Sequence, residues 1–254
     1  MFDQFLTVRI RRTERRRPPV CFATMTAVTA LLIGQRATFA APLGGTVVEG
    51  SAGISQAGST TNINQSSNKA IINWQGFSIG TGETVNFNQP GSSSVTLNRV
   101  IGNETSVISG ALNANGQVFI VNSAGVLFGK NAQVNVGGLV ASTLDISNAN
   151  FMAGKYTFSG NSAASVVNQG SIHAHGGGYV ALLGNTVAND GVISARLGTV
   201  AMAAGSQITL NFGGNSLLDV TIDRGTLNAL VENKRAIIAD GGQVIMTAKA
   251  ADGV

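Results

Sequence analysis

The stretch Gly178-Tyr-Val-Ala-Leu-Leu183 returns as Gly198-Thr-Val-Ala-Met-Ala203 and again as Gly242-Gln-Val-Ile-Met-Thr247. Two more marks keep step with it. Val167-Asn-Gln-Gly-Ser-Ile172 resembles Ala188-Asn-Asp-Gly-Val-Ile193, which sets Asn168 and Asn189 twenty-one residues apart. Asn233 of Val231-Glu-Asn233 follows forty-four residues later, a distance that reads as two further periods. Ile172-His-Ala, Ile193-Ser-Ala and Ile238-Ala-Asp form the third series. A period of about twenty to twenty-two residues signals a solenoid, in which no single unit can bury its apolar face but a stack can. Each unit holds two or three short strands with Gly or Asn corners. A β-sandwich would leave the Gly-aligned spacing without a cause.

Strand alternation then assigns faces. Val180, Leu182, Val200, Met202, Val244 and Met246 fall on one face by period two, the face expected to point inward. Asn113-Ala-Asn-Gly-Gln-Val-Phe-Ile-Val-Asn-Ser-Ala-Gly-Val-Leu-Phe-Gly129 shows the same rhythm of apolar strands and Asn/Gly turns. Asn suits left-handed corners and can stack into side-chain ladders. Coils pairing at about 4.8 Å would turn the 214 residues from Ala41 onward into roughly ten coils and a rod of roughly 45 to 50 Å. A rod exposes an edge at its end. The small, polar segment 41–64 is expected to begin the first coils and form that cap. Asn68–Gly80 then supplies Trp74 and Phe77 as the first core.

Charge separates the chain into two parts. Up to Ala40 there are 7 basic and 2 acidic residues; from Ala41 there are 9 and 10. The net charge of +4 therefore belongs to the first forty residues, and no basic stripe remains to hold nucleic acid. Those forty residues read as an export signal. Arg9–Arg17 is basic, Val20–Gly34 is apolar and uncharged, and Thr38-Phe-Ala40 places small residues for cleavage between Ala40 and Ala41. The apolar run is shorter than the about twenty residues of a membrane span. The single cysteine, Cys21, lies inside this signal, so the mature chain carries no thiol and no disulfide to lock it before export.

Catalytic and metal-binding signals are weak. His173 and His175, the two histidines, would share a strand face, but no cysteine exists beside them to complete a metal site. Asp219, Asp223, Arg224 and Glu232 are the densest charges, and paired carboxylates can hydrolyse glycosides. They lie where Phe212-Gly-Gly-Asn-Ser-Leu-Leu-Asp219 interrupts the repeat, a stretch expected to be a coil with its own loops. No phosphate loop, nucleotide fingerprint or Ser-His-Asp order is present. Asn103-Glu-Thr105 fits a glycosylation acceptor pattern. No cofactor and no metal are expected.

Several pieces in order resemble one family. They are Ala70-Ile-Ile-Asn-Trp-Gln-Gly-Phe-Ser-Ile79, Asn98-Arg-Val100, Gly110-Ala-Leu-Asn-Ala-Asn-Gly-Gln-Val-Phe-Ile-Val-Asn122 and Gly137-Gly-Leu-Val-Ala-Ser-Thr-Leu-Asp-Ile146. Together with the repeats behind them they are similar to the N-terminal secretion domain of filamentous-haemagglutinin-type exoproteins, the exported partners of two-partner secretion in Gram-negative bacteria, and most to the high-molecular-weight adhesin branch. The family motif Asn-Pro-Asn-Gly here reads Asn122-Ser-Ala-Gly125, and its second motif, Asn-Pro-Asn-Leu, does not occur, as in the adhesin branch.

The resemblance implies an all-β fold: a single-stranded right-handed parallel β-helix, or solenoid, with an N-terminal cap and small extra-helical β elements. It implies export through the general secretory translocon and recognition by the periplasmic domains of a cognate outer-membrane β-barrel transporter, with a host-cell receptor or glycan as a further partner. Asn113, Asn115, Gly116, Asn122 and Gly125 are the recognition candidates; Trp74, Phe77, Phe119, Gly137 and Gly138 are the expected structural core. The expected organisation is a signal over 1–40, a secretion domain over 41–160, and continuing repeats over 161–254, cut from a longer chain because no capping sequence follows. Two other classes stay open: the delivery end of a contact-dependent toxin, and a β-helical carbohydrate-active enzyme.

Overall fold

The computed structural model describes residues 40–212 and 218–251. Residues 1–39 of the signal expected over 1–40 lie outside them. Within them the strands wind as a parallel β-helix of three faces. The first face stacks Lys69–Trp74, Val95–Val100, Gln117–Val121, residues 138–142, residues 179–184, Thr199–Ala204 and Gln243–Ala248, all parallel. The second runs through Thr60–Gln65, Thr84–Asn88, Ala111–Ala114, residues 133–136, residues 171–174, Val192–Ala195 and Ala236–Ile238. The third is Ser106–Ile108, Val126–Phe128, Ser165–Asn168, Thr186–Asn189 and Leu230–Asn233. The strands Gln133–Ser142 and Ser171–Gly184 turn the corner between the first two faces without a break in the chain's strand pairing other than a register shift between Val136 and Gly138.

The start of the stack is closed by antiparallel strands. Thr46–Glu49 pairs antiparallel with Lys69–Trp74, and Ala52–Ala57 pairs antiparallel with Thr60–Gln65. These two strands occupy the edges that a parallel stack would otherwise leave open. The expected cap is therefore a hairpin and a flanking strand, and the hairpin's second strand, Thr60–Gln65, begins the second face.

The repeat marks stack as strand partners. Asn168 lies over Asn189, and Tyr179, Thr199 and Gln243 form one column. Three expectations need correction. Asn189 pairs directly with Asn233, so their forty-four-residue separation is one coil carrying an excursion, not two coils. For the same reason the first face stacks seven strands, whose six steps of about 4.8 Å give about 29 Å, shorter than the expected rod. In the third series Ile193 pairs with Ile237, and Ile238 is the exposed neighbour. A one-residue shift exchanges faces, which the sequence spacing alone did not register.

The excursions build a second layer. Residues 145–164 carry the short helix α1 (Asn148–Met152) and the strand Tyr156–Ser159. The interruption around Phe212–Asp219 is not a coil: Gln207–Phe212 and Leu218–Arg224 form an antiparallel hairpin, and Tyr156–Ser159 joins it as a third strand. This small sheet lies over the outer side of the first face and creates a second core. Inside the coil are Ile72, Trp74, Phe77, Val118, Leu139, Val180, Leu182, Val200 and Met202. Outside it, beneath the sheet, are Ile71, Leu97, Phe119, Val140, Ala181, Ala201 and Phe158. Strands buried on both sides are apolar at successive positions, as Gln117-Val-Phe-Ile-Val121 and Thr199-Val-Ala-Met-Ala-Ala204 are. Val244 and Met246 share the inward register but remain 47% and 44% exposed.

The candidate secretion motif

Phe119, expected in the same core as Trp74 and Phe77, belongs to the outer one. Trp74 meets Phe77 edge-on with ring centroids 5.4 Å apart inside the coil. Phe119 meets Phe151 of α1 at 5.7 Å and Tyr156 at 5.3 Å outside it. Neighbouring positions of one strand point to opposite sides, so Val118 and Ile120 enter the coil and Phe119 leaves it. Trp74 Nε1 donates to Asn98 Oδ1 at 3.0 Å, and Asn98 in turn donates to Phe119 O at 3.2 Å, so a buried polar link joins three successive levels.

The turn Asn122–Gly125 is an internal corner. Asn122 is fully buried, and both of its side-chain polar atoms have partners. Its Nδ2 donates to Glu104 O and to Ser106 Oγ, each at 2.9 Å, and its Oδ1 accepts from Ala124 N at 2.9 Å. The last bond is a local Asx turn, which substitutes for the missing Pro as the turn's fixing element. Gly125 holds φ near 110°, a conformation open to glycine, and its nitrogen donates to Asn122 O at 3.0 Å. The corner is tied to the next segment by Ser162 Oγ, which donates to Ser123 O at 2.6 Å.

Asn113, Asn115 and Gly116 lie a third of a turn away from it, on the second face and its corner. Asn62, Asn86 and Asn113 form an amide ladder: Asn86 Nδ2 donates to Asn62 Oδ1 and Asn113 Nδ2 to Asn86 Oδ1, both at 3.0 Å. Asn115 pairs with the main chain of Gln89, accepting from Gln89 N at 2.8 Å and donating to Gln89 O at 2.7 Å. Gly116 N donates to Gln89 Oε1 at 3.0 Å, and the buried Gln89 Nε2 donates to Ser94 O, Thr96 Oγ1 and Gln117 O. Thr96 Oγ1 continues the chain to Gln65 Oε1. Gln65, Gln89 and Thr96 were not singled out from the sequence. Their only signal was a polar residue at a position where the strand pattern calls for an apolar one.

Gly137 and Gly138 serve two different contacts. Gly137 belongs to a corner column with Gly116, Gly178, Gly198 and Gly242, where a Cβ on each upper residue would fall 1.7 to 2.7 Å from the carbonyl oxygen below. Gly138 makes room for the ring of Tyr179, whose hydroxyl donates to Gln117 Oε1 at 2.6 Å. Burial, and then the neighbouring Tyr156, push the Tyr179 phenol well above its usual range. Beside this corner lies an open cleft of about 330 Å³ lined by Gln117, His175, Tyr179 and Phe212 among others.

The other candidate residues stay apart. His173 and His175 have ring centroids 6.3 Å apart, and no group of three metal-ligating side chains occurs among the described residues. Asp219 accepts from Val220 N and Asp223 from Thr209 Oγ1 on the outer hairpin. Glu232 pairs with Lys234 at 2.8 Å on the third face. The carboxylates do not converge on one another. Ala40 and Ala41 begin the described chain just before Leu43, which forms an antiparallel bridge with Gly76.

A stack of parallel coils, capped by antiparallel strands and overlaid on one face by a short sheet, defines a β-helical secretion domain. The chain belongs to the TPS (two-partner secretion) secretion domain family, whose model matches residues 39–254. It is 34% identical over 217 residues to a heme/hemopexin-binding protein of Haemophilus influenzae, covering 82% of this chain and 24% of that protein. A second Haemophilus influenzae heme/hemopexin-binding protein is 43% identical over 96 residues, 38% of this chain and 10% of the relative. The crystal structure of the HMW1 secretion domain from Haemophilus influenzae superposes with a TM-score of 0.74 at 37% identity, covering 81% of this chain and 57% of that one. The chain thus spans about a quarter of the length of the longer-matching curated relative. Exoproteins of this family cross the outer membrane of Gram-negative bacteria to the cell surface with a cognate outer-membrane transporter.

Proposed function

We propose that this chain is the leading domain of a large surface adhesin, delivered to the periplasm by a signal over residues 1–40 and the general secretory translocon, and cleaved before Ala41. The secretion domain occupies 41–160 and the repeats continue over 161–254. The transporter's periplasmic domains read the stretch from Asn113 to Gly125 before the coils close. The observation that carries this timing is the burial of Asn122: with no side-chain atom left exposed or unpaired, it is readable only in the extended chain. An extended strand adds to a partner by edge pairing. Outside, each completed coil offers an edge to the next, so folding draws the chain outward without nucleotide energy. Adhesion to a host receptor or glycan, and the lack of catalysis, belong to the same reading.

The test is release into the medium with and without the cognate transporter, for the natural chain and Asn122→Ala, with in vitro refolding of both measured alongside. Transporter-dependent release that falls more than refolding does supports recognition through Asn122. Release without a transporter, or retention in both cases, overturns the reading.

A further inference from the structure

Asn115-Gly116 is the one Asn-Gly dipeptide in the chain. In a flexible chain this pair is the most labile of asparagine sequences, because glycine leaves the following nitrogen free to reach the side chain. The Gly116 nitrogen loses its proton and attacks Asn115 Cγ. A C–N bond closes a five-membered imide, the Cγ–Nδ2 bond breaks, and Nδ2 leaves as ammonia with that proton. Water then opens the imide at either carbonyl to give aspartate or isoaspartate.

The fold demands both residues of the pair. A Cβ on Gly116 would lie 2.6 Å from Gln89 Oε1, 2.7 Å from Ser94 O and 2.8 Å from Gly91 O, so glycine is required there. Asn115 is held one position earlier by two separate amide atoms, Nδ2 donating to Gln89 O and Oδ1 accepting from Gln89 N, a pairing that an aspartate carboxylate cannot make. The same contacts disarm the reaction. Asn115 Cγ is held toward Gln89 by two bonds, and the attacking nitrogen is engaged as a donor to the buried Gln89 Oε1.

We propose that Asn115-Gly116 is a spontaneous deamidation site that folding closes, so that a chain kept waiting unfolded is marked irreversibly and can no longer complete its coils. Aspartate at 115 would lose the donor to Gln89 O and set a carboxylate against that carbonyl. Isoaspartate would lengthen the main chain by one carbon at the corner where Gly137 N donates to Gly116 O at 2.7 Å. The consequence for export rests on the secretion-domain reading; the chemistry does not.

The purified chain is held at one neutral pH either in native buffer or in urea, and Asn115 is followed by peptide mass spectrometry with separation of the isoaspartyl form. Conversion in native buffer is expected to be at least about tenfold slower than in urea, because opening must precede attack. The partly converted sample is then refolded and treated with protease, and converted chains are expected in the digested fraction. Folded Gln89→Ala, which frees the Gly116 nitrogen, is expected to convert faster than the parent. Equal rates in buffer and urea, or equal refolding of converted and unconverted chains, would overturn the proposal. If Gln89→Ala does not fold, the two arms on the natural chain decide. No transporter enters the assay, so its outcome is separate from that of the secretion test.

Discussion

Arg99 and Asp145 stand forty-six residues apart in the chain and meet at 2.9 Å, joining a strand of the first face to the start of the first excursion. The Arg99 side chain is 14% exposed, and its guanidinium spreads its other donors to Asn148 Oδ1 at 2.7 Å and to Ile146 O. One side chain thus fastens the segment leading into α1. Arg99→Ala should cost about 2 kcal/mol, the scale of a hydrogen-bonded charged group leaving partners unpaired. Arg99→Lys should restore little of it, since an ammonium cannot reproduce the fork. Urea unfolding of the three chains checks both statements; full recovery with lysine would refute the second.

Asn122→Ala leaves Glu104 O, Ser106 Oγ and Ala124 N without their partner in a buried corner. The expected loss is about 3 kcal/mol. Asn122→Asp keeps the acceptor for Ala124 N but removes both donors and buries a charge, so it should be the less stable of the two. Thermal unfolding midpoints give the ranking.

Along the glycine column a single carbon decides the outcome. A Cβ at Gly198 would meet Gly178 O at 1.7 Å, and Gly198→Ala should cost about 3 kcal/mol or more. Gly53 on the cap hairpin has nothing within 4 Å of the same carbon, and Gly53→Ala should instead gain about 0.5 kcal/mol through the unfolded chain. Both are read from urea midpoints.

Alkaline stability depends on Tyr179. Its folded-state phenol is raised above the ordinary 10.0, so the folded chain holds a proton that the unfolded chain gives up. The stabilisation is complete below pH 10.0 and is lost as pH climbs toward the folded value. Tyr179→Phe should flatten that fall, at the cost of leaving Gln117 Oε1 without its donor. Urea midpoints measured on either side of pH 10.0 test the difference in slope.

The solenoid was readable from its corners, because glycine and asparagine recur there for steric reasons that leave little choice of residue. Asn168, Asn189 and Asn233 stack with bonds of 2.8 and 2.7 Å, and the Gly-led strands pair in the expected register. What counting could not reveal was how much chain lies between corners. The hairpin of Gln207–Phe212 and Leu218–Arg224 inflates one coil to the length of two. The outer core is hidden for a related reason: a strand covered on both sides shows no alternation, so nothing in the pattern separates Phe119 from the core of Trp74 and Phe77. At the candidate motif the residue types were visible, but Gln65, Gln89 and Thr96, which lock it, occupy polar positions that no spacing rule connects.

The Asn189–Asn233 bond has a further consequence. Between these amides the chain leaves the stack, builds a hairpin and returns with no lateral displacement. The corners therefore act as docking points that are indifferent to the cargo carried between them. Foreign segments whose ends lie close together could be spliced between Phe212 and Leu218, which pair with each other, while the stack above and below closes as before. Such a rod is a natural display scaffold, able to acquire new surface modules without rewriting its frame.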